Sequence, residues 1–406
     1  MKILVIGNVR PGHKSLIELG HDIVVLMRKE HSHVPDVSFP YQCLTLMDNQ
    51  ASSQEYAAVA EALHRFHHFQ RIACFNDTYQ ADAAVVAELL SIPYPHTLEL
   101  VNTLNDKYET RRQLALKDMD DTFFQIVHTE DSLYEVVAEH QCPLMFKPLH
   151  GNASSGVSKL SGVEDIEPAL VKLRESGFGF PVLVEAYLTG PEFSVEAISE
   201  GGQHVIIGIT EKLKDDITFI ELGHIFPAQL DEQVEKQINQ YVDDVLSALG
   251  VTDGPTHTEI ILTESGPRIV ETHSRAGGDN IFRLMELSTG IDIYQYEARQ
   301  LAGESILNDA LENKSIKRTS AVKFIGLGFD QNTGFQSVEH LETAREIENV
   351  DQLVVIKQPG DALPPMRSSR ERAAFAIATG HDSESAMGVC EQALGQLKFN
   401  ITWRHD

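Results

Sequence analysis

The stretch HTEIILTESGPRIVETHSR, residues 257–275, has the glycine pair Gly277 and Gly278 close behind it. Two runs alternate with strand period, 257–263 and 268–273, and Glu264-Ser265-Gly266-Pro267 between them is turn chemistry. The pattern predicts a β-hairpin. A turn centred near Ser265 sets Glu259 opposite Glu271, with His257 and His273 each two residues away on the same face. Like charges directly across a strand pair are destabilising, so two carboxylates in this arrangement require a compensating cation. Hard oxygen ligands that leave room for phosphate oxygens and water describe Mg2+ rather than zinc. Arg275, one strand step past His273, would add a fixed positive charge beside it. Taken alone, such a pair is more often a solvated acidic edge, so the rest of the chain must decide.

A chain of 406 residues has room for several domains with proper cores. Its 42 % hydrophobic and 23 % charged residues match an ordinary globular protein. No segment approaches the roughly 20 apolar residues of a membrane span, and residues 2–7 run straight into a strand without a signal-peptide pattern. The expectation is a cytoplasmic protein. A formal charge of −27 argues against nucleic acid or an anionic membrane as partner. Any phosphate must therefore enter a local basic pocket. Cys43, Cys74, Cys142 and Cys390 are scattered without metal-binding spacing and read as buried thiols.

Residues 2–7, a helical pattern closed by Gly20 and a strand at 22–27 predict a β-α-β unit with a parallel sheet. A helix at 53–68, a strand at 71–76 and a helix at 80–90 continue an open α/β domain, which Ile92-Pro93-Tyr94-Pro95 punctuates. His64, His67 and His68 read as a solvated helix face. A helix follows with Lys107, Arg111 and Arg112, then a strand at 123–127 and a helix at 132–140 opened by a capping box of Ser132 and Glu135. The strand at 143–148 carries Lys147 at its end. The small-residue run 151–157 behind it, with Ser154, Ser155 and Gly156, offers backbone N–H groups and hydroxyls to an anion. By composition alone that run is a hairpin linker; the Lys-Pro ahead of it favours a phosphate cradle. Strands at 181–188 and 192–199 can hold an aromatic base at their edge, with Glu185 near the base and Glu192 near the ribose. Strands at 203–210 and 218–225 and a helix at 232–249 lead to the hairpin, and helices at 279–288 and 292–302 follow it. A strand-rich piece opens at 317–326, and residues 373–380 with a helix through 397 look like an appended α+β subdomain.

In this order, the NDKYETR helix, KP with its Gly/Ser loop, VEAYLTGPEFSVEA, HTE and VETHSRAGGD resemble the ATP-grasp superfamily, and within it the bacterial L-amino-acid ligases that join two amino acids into a dipeptide. The resemblance covers nearly the whole chain. It implies an α/β and α+β ATP-grasp fold: an N-terminal α/β domain (1–100), a central lid (101–186), a catalytic domain (187–310) and a C-terminal α+β subdomain (311–406). It implies further that Lys107 and Lys147 contact ATP phosphates under a loop containing Ser154, Ser155 and Gly156. Glu185, Ala186 and Leu188 would line the adenine hinge, Glu192 would hold the ribose, and Glu259 and Glu271 would bind Mg2+. Arg275 would steady the transferring phosphoryl group and the tetrahedral intermediate.

Where many ATP-grasp enzymes carry Asn two residues after the second glutamate, this chain has His273. Imidazole is an unusual Mg2+ ligand, so His273 is assigned to the substrate or to support of the metal glutamates, with Mn2+ as an alternative ion. His224, Gly278 and Asp279 are the expected substrate groups; Asp279 suits an amino-bearing substrate and reads equally well as a helix N-cap. The partners implied are amino acids, and a homodimer is a family-level expectation. The rival readings are a ligase for another acid and amine, a biotin-carboxylase-like enzyme, and a nucleotide-binding module without chemistry. The last would be expected to lose a metal glutamate or the arginine, and all three are present.

Overall fold

The computed structural model describes residues 1–32, 39–140, 143–149, 155–215, 218–329, 333–366 and 368–403. The apolar run at the start forms strand Lys2–Ile6, which pairs in parallel with Asp22–Arg28 and Arg71–Ala73; Cys43–Met47 adds a fourth strand beyond Asp22–Arg28. Ile3, Leu4, Val5 and Ile6 are fully buried, as expected for parallel strands covered on both faces. Helix Ser53–His67 begins at a capping box of Ser52 and Glu55 and ends on left-handed His68. Helix Arg10–Glu18 packs on helix Ile293–Leu301, which docks this layer onto the later part of the chain.

A second unit has its own core. Strands Phe124–Val127, Val182–Ala186, Leu144–Pro148 and Ser158–Leu160 lie side by side in that order, with Phe146, Val184, Leu133 and Leu170 buried beneath them. The helix over this sheet, Glu130–Glu139, starts earlier than expected. Thr129 rather than Ser132 is its cap, and Ser132 occupies the reciprocal position expected of Glu135, because the hydroxyl of Ser132 reaches back to the Thr129 backbone.

The third sheet has eight strands, ordered Gly266–His273, Gly254–Thr263, Glu192–Glu200, Gln203–Lys214, Glu221–Phe226, Thr319–Ile325, Ala374–Gly380 and Val350–Val355. Strands of the last hundred residues therefore continue the sheet that carries the hairpin, and the boundary expected at 310 runs through continuous backbone pairing. Thr333–Glu339 and Lys398–Trp403 form a separate pair. Helix Glu232–Leu249 buries Ile238, Val242 and Leu246 against Val195, Ile209 and Ile260 of the sheet. No described helix is long and apolar enough to cross a membrane.

The small-core sheet and the large sheet join through Gly190, held at φ +149°, where an added Cβ would stand 2.1 Å from the Leu262 carbonyl oxygen. Gly201 is also left-handed, at φ +58°, with nothing within 4 Å of the same position. In urea unfolding Gly190→Ala is expected to lose about 2 kcal/mol or more and Gly201→Ala about 1 kcal/mol, the difference reporting the clash with the hairpin.

Candidate active site

The hairpin forms as the alternation predicts, with Glu259 directly opposite Glu271 and His257 opposite His273. Its tight turn alone would not give that register. Thr263 pairs with Gly266 and Ile260 with Ile269, a register that, continued, would set Glu259 against Val270 and turn Glu271 to the other face. A β-bulge after Ile260 leaves Val270 unpaired and returns both glutamates to one face. On the opposite face the hydroxyls of Thr258 and Thr272 meet at 2.7 Å.

Cations from two other segments answer this crowding. Lys107, at the start of helix Lys107–Ala115, stands 2.7 Å from Glu271. Lys212 is almost fully buried and contacts Glu192, Glu221 and Glu259 at 2.7, 2.8 and 2.7 Å. Lys214, on the same face of that strand, also reaches Glu192. Burial pulls the Lys107 ammonium down, but Glu271 and Glu259 override it and the group is held above its ordinary range. Burial opposes ionisation of Glu271 as well, and Lys107 and His273 nevertheless keep it well below the usual carboxylate range.

His257 lies between Glu196 at 2.8 Å and Glu259 at 3.2 Å, and Ser194 supports Glu196. Burial would neutralise this imidazole; the two carboxylates raise it to about 10. His273 stands 3.1 Å from Glu271 and 3.5 Å from Asp77. Asp77 begins helix Asp77–Leu90 in the N-terminal layer and also accepts from Arg275 Nε at 2.5 Å. Arg275 is thus aimed by a residue almost two hundred positions earlier in the chain.

Lys147 is bound to Glu185, whose other oxygen takes Arg111 Nε at 3.1 Å. Arg111 in turn reaches Asp120 at 2.7 Å. Glu185 is thereby engaged within the protein, and its expected place beside a base is shared with the lysine.

These groups surround one cavity of about 360 Å³. Lys107, Lys147, Ser155, Glu185, Ala186, Leu188, Glu192, Glu259, Glu271 and Arg275 line it, and so do His224, His273, Gly278 and Asp279. Gly156 sits beside it at φ +75°, against Pro148 and Phe178, and Ser154 lies outside the described residues. Asp279 is no helix cap: helix Ile281–Thr289 has Asn280 at its N-cap, and Asp279 instead contacts His224 and Arg372. Asp77, Arg111, Lys212, Lys214 and Glu221 line the cavity without having been singled out as site residues from sequence. The strand expected to stop at Thr210 runs on to Lys214, and the alternating lysines of EKLK were the available signal.

Two family models match the chain: an ATP-grasp domain over residues 140–282 and L-amino acid ligase C-terminal domain 2 over residues 334–402. The chain carries an ATP-grasp domain. Among relatives of this chain, dapdiamide A synthase of Enterobacter agglomerans is 25 % identical over 47 % of this chain and 47 % of its own length. Alanine–anticapsin ligase of Bacillus subtilis is 27 % identical over 42 % of this chain and 40 % of its own. The chain thus spans under half the length of both. The crystal structure of an L-amino acid ligase from Bacillus licheniformis superimposes with a TM-score of 0.82 at 21 % identity, covering 100 % of this chain and 99 % of that one, which shows a shared fold.

The ATP-grasp cavity fits a hard divalent cation by its donors: Glu259 and Glu271 present carboxylate oxygens side by side and meet lysines in their place. His273 Nε2 is already engaged by Glu271 at 3.1 Å, which favours support of Glu271 over metal ligation. Among the described residues His64, His67 and His68 take part in no metal-like cluster.

Burial raises Glu185, yet Arg111 and Lys147 outweigh it and bring it to about 2. A depressed carboxylate stabilises the fold above its unfolded value, and that contribution is lost as pH falls from about 4.5 towards 2. Urea titrations should therefore find Glu185→Gln less stable than the parent by about 3 kcal/mol at pH 7, with the difference shrinking through that acid window.

Proposed function

We propose that the chain is an ADP-forming ligase that activates the carboxylate of one L-amino acid with ATP and joins it to the amine of a second, releasing a dipeptide, ADP and phosphate. The observation that carries this reading is the facing pair Glu259 and Glu271 in one cavity with Lys107, Lys147, Lys212 and Arg275. A carboxylate does not condense with an amine in neutral water because it has no adequate leaving group. In the proposed reaction its oxygen attacks the γ-phosphorus, the bond to the β-phosphate oxygen breaks, and ADP departs from an acyl phosphate. The neutral amine then attacks the acyl carbon, phosphate leaves, and the amine proton departs with it.

Phosphoryl transfer of this kind needs chiefly positioning and charge. Glu259 and Glu271 would hold Mg2+, which supplies charge neutralisation on the phosphate oxygens. Lys107 and Lys147 would take phosphate oxygens, with Ser155 and Gly156 at the described end of the covering loop. Ala186 and Leu188 offer an apolar edge for the base, and Glu192 a carboxylate for ribose hydroxyls. Arg275, fixed through Asp77, would face the charge that develops on the acyl phosphate and on the tetrahedral oxyanion. His224, His273, Gly278 and Asp279 would meet the amino acids.

The deciding assay is phosphate release from ATP and Mg2+ with each L-amino acid alone and then in pairs, with the nucleotide product identified. ADP should appear with particular pairs, and chelation of the metal should abolish it. AMP as product, or no turnover with any pair despite nucleotide binding, would sink the reading.

Two substitutions extend that assay. Glu271→Ala should lower turnover roughly 100-fold or more. Asp77→Asn, which loosens Arg275 without removing it, should lower kcat roughly tenfold and leave the KM for ATP nearly unchanged.

A further inference from the structure

The part of the cavity wall around Asp279 is layered by charge. The carboxylates of Glu221 and Asp279 face the cavity with 26 % and 29 % of their side chains exposed, whereas Arg372, at 5 %, is buried behind them. Arg372 Nη1 donates to Asp279 at 2.8 Å, and Nη2 donates to the Glu221 backbone carbonyl at 2.8 Å and stands 3.6 Å from its carboxylate. The guanidinium lies 3.7 Å over the ring of Phe324. His224, fully buried, stands 3.4 Å from Asp279 and 3.9 Å from Glu221.

Two buried polar atoms of this cluster, Arg372 Nε and His224 Nδ1, lack hydrogen-bond partners among the described residues. A buried donor left unsatisfied is costly, so the cluster is built at some expense to stability. Its carboxylates are also in excess: Glu192, Glu196, Glu221, Glu259 and Asp279 are met by Lys212, Lys214, His257 and Arg372. Burial and the neighbouring Glu259 and Asp279 hold Glu221 above its ordinary value even with Lys212 and His224 beside it.

Register explains how Arg372 arrives. Gly223 pairs with Lys323, and Lys323 with Ala376, so Glu221 and the entry to strand Ala374–Gly380 lie at one end of the sheet with strand Thr319–Ile325 between them. Arg372 spans that strand across Phe324. It belongs to the segment matched as L-amino acid ligase C-terminal domain 2.

We propose that Asp279 and Glu221 form a recognition site for an ammonium group of an amino-acid substrate, and that Arg372 is the positioning residue that turns both carboxylates towards the cavity. The inference rests on the ligase reading and names the chemistry its substrate end selects. The ammonium is either that of a side chain or the α-ammonium, and binding distinguishes them.

The test is calorimetric binding to the full chain, with Mg2+ and a non-hydrolysable ATP analogue present, of L-lysine and of L-norleucine, which lacks the terminal ammonium. Lysine binding about tenfold or more tighter, with Asp279→Asn and Arg372→Met each erasing the difference and Arg372→Lys restoring part of it, supports a side-chain site. Equal binding of the two, with both weakened about tenfold by Asp279→Asn and no binding of L-2-hydroxyhexanoate, supports an α-ammonium site. Unchanged affinities in Asp279→Asn, or a parallel loss of nucleotide-analogue affinity, overturn the proposal. Should Arg372→Met fail to fold, Asp279→Asn still decides. Amino acids that bind but never release ADP would refute the ligase reading alone, while ADP-forming turnover with amino-acid affinity unmoved in Asp279→Asn would refute this inference alone.

Discussion

Two carboxylates held on one face of a strand pair are the constraint around which the molecule is assembled. At an effective dielectric near 20, unit charges about 4 Å apart interact by roughly 4 kcal/mol, so an unanswered pair at Glu259 and Glu271 would oppose folding. The fold answers with Lys107 from a helix, Lys212 from a strand two places away in the same sheet, and His257 and His273 from the hairpin itself. Each cation arrives on a different element, so the site exists only when the elements have docked. Charge compensation and tertiary assembly are here the same event.

The pairing also bears on how such a site could work. Lys107, Lys147 and Lys212 each rest on a glutamate, and those glutamates include both proposed metal ligands. A nucleotide arriving with its metal would bring both signs of charge, so lysines could pass from carboxylate to phosphate while the carboxylates pass to the metal. The exchange leaves the number of close opposite-charge contacts nearly constant. Moving any one of these ions without the other would leave a buried charge unpaired, which costs several kcal/mol.

Local patterns in the sequence reached as far as local physics does. The hairpin, helix Glu232–Leu249 and the first β-α-β unit follow from period, turn chemistry and caps, and all three stand as expected. The pairing of Glu259 with Glu271 was also legible, though the means was not: a turn centred on Ser265 and a tight turn corrected by a bulge at Val270 give the same opposition of residues. The cap at Thr129 was missed because Ser132 and Glu135 offer an equally good local motif. Asp77, Arg111, Glu221 and Arg372 acquire their roles only through partners 9 to 198 residues away in sequence, and no local period records such a distance.

The C-terminal strands show why that distance matters. Read in isolation, residues after 310 have the composition of a small α+β unit, and nothing in their alternation says which sheet they join. Once Thr319–Ile325 pairs with Glu221–Phe226, the positions of strands Ala374–Gly380 and Val350–Val355 relative to the cavity follow by register. A shift of one residue in that pairing would turn Phe324 to the other face and remove the surface on which Arg372 lies. The substrate end therefore depends on a strand pairing almost a hundred residues long in sequence separation, while the metal end depends on a hairpin. The two ends are nevertheless tied together: Lys212 contacts Glu221 at one and Glu259 at the other, so a change in the C-terminal segment that moves Glu221 is felt by the carboxylate pair.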